Sequence, residues 1–285
     1  MSKPLAFIPK ELFRSISITG SKCFLNCLYC MGKYLSIMDH VYTPTEFYKW
    51  VSYLVKHKGI RGILVSGGFN RDGRLPIEPY LKVINDIKRD YGVVISVHIG
   101  LVDKELAKKI GSTGIDIVDY EFIVDPYVIR SIRNLDKKPG DYVKGLEFLE
   151  KYGPPYIAPH IPVGFRFGEI VSEYEAVDTV SMFDTYITTF IVFIPTRGTP
   201  MENYKPPKTS DIIELLRYAK RKLKTEIALG CMRPRIVKED VDKYVIRESL
   251  IDRVVNPSKK LIKEYGLDIV KACCSIPRDY IQYFK

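Results

Sequence analysis

Along the chain, short apolar runs alternate with longer stretches in which apolar residues recur every three or four positions. The short runs are RSISIT (14–19), GILVS (62–66), VVISVH (93–98), IDIVDYEFIV (115–124), YIAPHIPVGF (156–165), ITTFIVFI (187–194) and EIALG (226–230). Brief, nearly continuous apolar character rich in Val and Ile is what a strand covered on both faces requires. The longer stretches have recognisable starts. Thr43-Pro44-Thr45-Glu46 has the form of a capping box with proline at the first helical position, opening a helix through FYKWVSYLVKHK. Leu75 to Tyr91 sets Ile77, Leu81, Ile84 and Ile87 at helical spacing, and residues 104–110, 141–152, 173–182 and 210–223 follow the same pattern. Strand–helix alternation of this kind predicts βαβ units and parallel pairing. The expected fold is α/β, a partial (β/α)6-type TIM barrel over residues 1–230, with a C-terminal extension over 231–285.

In a barrel, chemistry gathers at the C-terminal ends of the strands. The residues able to do chemistry fall there. CFLNCLYC (23–30) follows the first run, Ser66-Gly67-Gly68 the second, and His98 ends the third. Asp119 and Glu121 share a face of the fourth run, His160 lies within the fifth with Gly164 and Glu169 just beyond, and Cys231 directly follows the seventh.

Composition narrows the class. Of 285 residues, 46% are hydrophobic, enough to bury a large core. There is no apolar run of membrane-spanning length, and MSKPLAFIPKELFRS resembles no secretion signal, so a cytoplasmic, non-membrane protein is expected. The net charge of +10 suits either a solvated lysine-rich surface or an acidic partner; no motif points to nucleic acid. Three of the six cysteines crowd into eight residues, which in a reducing compartment argues for metal ligation over disulfides.

Three thiolates from one loop can hold three irons of a [4Fe–4S] cubane, whereas a structural zinc site wants four closed ligands. His40, the nearest extra candidate, has no motif spacing with the cysteines. C-x3-C-x2-C with Tyr29 before the last cysteine, just after a first strand, resembles the defining loop of radical S-adenosylmethionine (SAM) enzymes. Ser66-Gly67-Gly68-Phe69 is similar to that family's segment receiving the methionine amino group, with Phe69 where the family has glutamate. PHIPVGFRFGE (159–169) looks like a degenerate form of its fifth-strand motif. The resemblance implies a cluster on Cys23, Cys27 and Cys30 whose open iron chelates SAM, and reductive cleavage to a 5′-deoxyadenosyl radical. Asp119 or Glu121 would then hydrogen-bond the ribose, the alternative being a barrel-interior salt bridge. His160, with His98, is either a site residue or a hydrogen-bonded core histidine. Arg166 and Arg197 are candidates for a carboxylate contact.

Cys231 in ALGCMRPR and the vicinal Cys273-Cys274 in KACCSIPRDY remain. They are either buried small residues or ligands of a second, auxiliary iron–sulfur cluster, in form a second [4Fe–4S]. Arg233 and Arg235 beside Cys231 would favour its thiolate. Ser275, directly after the pair, is similar in position to the serine ligand in the Arg-Ser-Ser segment of single-chain lipoyl synthases. The absence of cysteines ahead of residue 23 is closer to the two-component lipoyl synthases of some archaea. That resemblance implies sulfur insertion from the auxiliary cluster into an octanoyl chain carried on a lysine of an acidic carrier domain. It also implies a low-potential electron donor and a second radical SAM subunit. The rivals are a biotin-synthase-like enzyme, an auxiliary cluster that only conducts electrons, and a non-enzymatic zinc- or RNA-binding module.

Overall fold

The computed structural model describes residues 3–9 and 11–285. Its strands are β1 (Leu5–Phe7), β2 (Phe13–Ser17), β3 (Asp39–His40), β4 (Gly62–Ser66), β5 (Val94–His98), β6 (Ile117–Glu121), β7 (Tyr156–Val163), β8 (Ile187–Val192), β9 (Glu226–Leu229), β10 (Arg253–Val255) and β11 (Ile269–Val270). They form one sheet in the order β11-β1-β10-β9-β8-β7-β6-β5-β4-β2-β3, parallel throughout. From β4 to β10 the spatial order follows the chain order, as right-handed crossovers of one hand require.

The helices cover the outer face: α1 (Pro44–Lys58), α2 (Leu81–Tyr91), α3 (Lys104–Gly111), α4 (Pro139–Tyr152), α5 (Glu173–Val180), α6 (Thr209–Lys222), α7 (Arg235–Arg247) and α8 (Lys259–Tyr265). Thr43 Oγ1 accepts from Glu46 N at 3.2 Å, so the expected cap forms; its reciprocal arm reaches Tyr42 N, one residue early. The helix expected from Leu75 begins at Leu81. Pro79 occupies a short 3-10 turn, Glu78–Tyr80, ahead of it.

Two hydrophobic layers show how the sheet curls. Outward residues such as Ile63, Val65, Ile95, Val97, Val118 and Ile157 pack against Phe47, Val51, Ile84 and Ile87 of the helices. Inward residues, one or so per strand, form a separate cluster: Phe7, Phe13, Val94, Ile117, Ala158, Ile187, Ala228 and Val255. That alternation along each strand is the period-2 rule applied to a sheet wrapped around its own interior.

Residues 231–285 continue this sheet with α7, β10, α8 and β11, and β1 slots between β10 and β11. The last segment then turns inside. Ala272, Cys274, Ile276, Ile281 and Phe284 join the interior cluster, with Phe284 5.8 Å from Phe13 between ring centroids. Burying Phe284 there contributes about 1.5–3 kcal/mol. Arg253, fully buried at the start of β10, anchors this tail: Nη1 donates to Cys274 O at 2.6 Å and to Ile276 O, Nη2 to Tyr186 Oη at 2.7 Å, and Nε to Glu226 at 2.6 Å.

Candidate active site

The loop after β2 carries Cys23, Cys27 and Cys30 at the C-terminal edge of the sheet. Cys30 N and Met31 N both donate to Cys27 O, at 3.0 and 2.9 Å, which winds the last two cysteines into one turn. Their thiols share a proton. Donation to Cys30 pushes Cys27 well up, with burial adding to it, and the same bond holds Cys30 down. Cys27 is 4% exposed, while Cys23 and Cys30 keep open surface.

Two neighbours hold the loop. Thr19 Oγ1 accepts from Gly68 N at 2.7 Å and donates to Lys22 O at 3.0 Å, bridging the glycine segment to the cysteine loop. A Cβ at Gly68 would overlap Lys22 O and come 2.5 Å from Cys23 Cα, so only glycine permits this approach. Phe69 O accepts from Phe24 N at 2.9 Å, committing the carbonyl where the glutamate of the resembled motif is missing. Ser66, buried at the end of β4, accepts Ile18 N through its carbonyl at 2.9 Å.

The second neighbour is a π-helical turn, Val128–Ile132, and the residues just after it. Leu28 N donates to Ile132 O at 2.9 Å, Asn134 Nδ2 to Leu25 O and Asn26 O at 3.0 and 3.2 Å, and the Cys27 thiol lies 3.8 Å from Arg133 O. Arg133 forms a fully buried ion pair with Glu121 beneath the loop and stands 5.9 Å from the Phe69 ring. Glu121 therefore takes the salt-bridge role rather than that of a free ribose acceptor. Neither Thr19 nor Arg133 nor Asn134 announces itself in the sequence, because each acts through contacts distant along the chain.

Tyr29 is buried edge-on against Phe165 at 4.7 Å. His160 Nδ1 lies 2.9 Å from Ala158 O, and its ring is 6.2 Å from His98, whose pKa burial lowers. His98 is a desolvated ring and His160 a hydrogen-bonded one. Arg166 sits 3.5 Å from Asp125 and over the Tyr127 ring, so its charge is already engaged. Arg197 is exposed. The buried glutamate of the β7 loop is Glu173, which accepts from Gly164 N and Val171 N at 2.7 Å each and Ser172 N at 3.0 Å; Glu169 is exposed.

Of the second cysteine set, Cys274 lies in the interior cluster with Cys273 packed against it, and Cys231 is exposed within electrostatic reach of both. Cys231 keeps solvent-facing surface at the mouth, yet the protein packed around it pushes its thiol up, with Cys273 adding to this. Arg233 pulls the thiol down as expected, but burial outweighs it, and that guanidinium is itself buried in an ion pair with Asp242, at 2.8 and 3.1 Å, and bonds Gly230 O and Val255 O. Arg235 faces solvent. Cys273 and Cys274 share a proton, which holds Cys273 down and pushes Cys274 well up. Cys273 Sγ lies 3.4 Å from Ser275 Oγ, and Ser275 is fully buried. Tyr34, bonded to Thr196 at 2.6 Å, feels both Cys30 and Cys231 after burial as the main influence on its phenol, so the two cysteine sets lie on either side of one residue.

In fold, this chain is similar to a methylornithine synthase, at 16% identity over 94% of this chain and 84% of that one, with a TM-score of 0.64. The FeFe-hydrogenase maturase HydG of Carboxydothermus hydrogenoformans matches at 14% identity, over 99% and 70%, TM-score 0.66. SuiB of Streptococcus suis, solved bound to S-adenosylmethionine, matches at 13% identity over 90% of this chain but 51% of its own, TM-score 0.53. The shared fold is an α/β half-barrel with a parallel sheet. No protein-family model and no curated protein matches the chain.

Among the described residues no three His, Cys, Asp or Glu side chains are drawn together tightly enough for one metal ion. The donor set of the β2 loop, three soft thiols wound into eight residues with open surface on Cys23 and Cys30, fits an iron–sulfur cluster with one iron left to other ligands. No helix among the described residues is long and apolar enough to cross a membrane.

Proposed function

We propose that this chain is a radical SAM enzyme of the lipoyl synthase type, inserting sulfur into an unactivated C–H bond of a protein-bound octanoyl chain. The observation that carries the first half is the Cys23–Cys30 loop, fastened at the C-terminal edge of a parallel barrel and touching the glycine segment at Gly68. SuiB, with the same fold, is solved with SAM bound. In this reading Cys23, Cys27 and Cys30 hold a [4Fe–4S] cluster, and with SAM it supplies one-electron cleavage to a 5′-deoxyadenosyl radical.

The chain's own residues then do the positioning. Gly67 and Gly68 let backbone approach the methionine end of SAM, while buried Tyr29 and Phe165 wall the cluster loop from water. Glu121 and Arg133 neutralise each other beneath the loop, leaving no lone buried charge there.

The mutual electrostatic influence of Cys231, Cys273 and Cys274 supports a second cluster as the sulfur source, with the Ser275 hydroxyl 3.4 Å from Cys273 Sγ. The excess of 44 Lys+Arg over 34 Asp+Glu supports an acidic carrier domain as the partner. We place the enzyme in the cytoplasm, with a low-potential reductant and a second radical SAM subunit working beside it. A biotin-synthase-like or electron-conducting auxiliary cluster is the second reading, which the buried Arg233 beside Cys231 keeps in view.

The anaerobically purified, reduced protein given SAM should release 5′-deoxyadenosine, and Cys27→Ala should abolish it. Cys274→Ala should keep that release and lose thiolation of an octanoyl-lysine peptide. Thiolation surviving in Cys274→Ala would defeat the sulfur-source reading. Zinc in place of iron would defeat the whole. Binding to the carrier should weaken with rising salt.

A further inference from the structure

Asp119 is a buried carboxylate without a counterpart. It lies on the inward face of β6 between Ile117 and Glu121, beside His98 of β5 and Ala158 of β7, and is 3% exposed. Ser96 Oγ donates to its Oδ2 at 2.5 Å; its Oδ1 is buried with no partner. Every other buried carboxylate among the described residues has a cation or backbone N–H. Lys88 serves Asp116, Arg133 serves Glu121, Arg233 and Lys238 serve Asp242, and backbone N–H groups serve Asp125 and Glu173. An uncompensated buried carboxylate is costly, so a cation belongs at this place.

What surrounds Asp119 says which cation. Ile117, one step below on the same face, and Ala158, its register partner, belong to the packed cluster that contains Cys274 and against which Cys273 rests. The carboxylate stands within electrostatic reach of the sulfurs of Cys231, Cys273 and Cys274. Thr189 Oγ1, on the inward face of β8, is a second buried oxygen without a partner. A free carboxylate oxygen thus stands on the interior layer that holds Cys274 and Cys273, with the exposed Cys231 within electrostatic reach.

We propose that Asp119 is the fourth protein ligand of the second cluster, its free Oδ1 on the iron that Cys231, Cys273 and Cys274 leave over. This rests on the reading that those cysteines hold a cluster. Asp119 suits the place better than Ser275. A carboxylic acid gives up its proton far more readily than an alcohol, and a serine hydroxyl must lose its proton to ligate. Ser275 Oγ is instead placed to hydrogen-bond Cys273 Sγ. A hard oxygen among soft sulfurs also distinguishes one iron from the other three.

The test uses the full chain in a Cys23→Ala/Cys27→Ala/Cys30→Ala background, reconstituted anaerobically with iron and sulfide so that only the second cluster forms. Mössbauer spectroscopy should show one distinct iron. Asp119→Asn should lose that iron and give the electron paramagnetic resonance signal of a three-iron cluster. Asp119→Cys should restore four irons without the distinct one, and Ser275→Ala should keep all four. Should Asp119→Asn not fold, the Asp119→Cys spectrum decides. An unchanged spectrum in either Asp119 variant, or loss of the distinct iron in Ser275→Ala alone, overturns the assignment and leaves the second cluster standing. Absence of any cluster in the triple-cysteine background overturns the second cluster itself.

Discussion

Asn134 reaches across 109 residues of sequence to donate through Nδ2 to Leu25 O at 3.0 Å, and to Asn26 O at 3.2 Å. It does so from a left-handed backbone conformation, φ 54°, that asparagine tolerates better than most residues. Asn26 itself has φ 44°. The cysteine loop is thus pinned at one of its left-handed residues by a side chain from the turn after β6.

Asn134→Gly keeps the backbone freedom and removes only the clamp. Global stability should fall by about 1 kcal/mol, the scale of the lost hydrogen bonds. Loss of iron to a chelator should accelerate several-fold, because the loop opens locally. Equal chelation rates in variant and parent would show the clamp to be idle.

The buried Arg133–Glu121 pair makes an asymmetric prediction. Removing one partner leaves a buried charge, so Arg133→Met should cost about 3–5 kcal/mol in urea unfolding. Arg133→Met/Glu121→Leu should recover much of that loss. Additive losses in the double variant would mean that the two charges are solvated independently.

The barrel was legible in the sequence because its signals are local. Buried parallel strands need continuous apolar runs: GILVS is β4 to the residue, and ITTFIVFI contains β8, which ends two residues sooner. The strands β1, β10 and β11 are two or three residues long, too short to carry a period, and exist only because neighbours supply their hydrogen bonds. The cysteine loop was legible for the same local reason. The interior course of residues 272–284 was not: KACCSIPRDY looks polar and peripheral, yet Arg253 bonds its carbonyls inside the barrel. Arg233 was legible in part. Beside Cys231 in sequence, it does draw that thiol down, yet its own ion pair goes to Asp242 in α7 and burial outweighs its pull.

Gly68→Ala should separate chemistry from folding. Its Cβ would strike Lys22 O and Cys23 Cα, and the cheapest relief is displacement of the cysteine loop, because β4 is held on both sides. 5′-Deoxyadenosine release should fall by orders of magnitude while far-ultraviolet circular dichroism is unchanged. Near-normal release would show that the glycine approach is incidental.

Glu173 predicts a pH signature. Burial pushes its carboxyl up, against the pull of the N–H groups of Gly164, Val171 and Ser172. The folded chain then holds this proton more tightly than the unfolded chain, whose pKa is about 4.3. Stability from this group is present below that value and is lost as pH rises through the higher folded pKa. Urea midpoints of the parent should therefore decline relative to Glu173→Gln over that rise. A parent that gains on the variant as pH rises would reverse the assigned direction.

Arg253 ties the tail to the chemistry. Its guanidinium satisfies Cys274 O and Ile276 O and balances Glu226, all inside the barrel. Arg253→Met keeps the bulk and removes those donors, leaving two carbonyls to find water and Glu226 to Arg278 alone. The loss, about 3–5 kcal/mol by the cost of breaking a buried pair, falls on the segment that presents Cys273 and Cys274. The Cys23–Cys30 loop is fastened separately, by Thr19 and Asn134, and shares none of these bonds. Iron analysis after mild chelation should thus show the second cluster lost before the first, with SAM cleavage retained. Simultaneous loss of both would mean that the tail supports the whole barrel and not the second cysteine set alone.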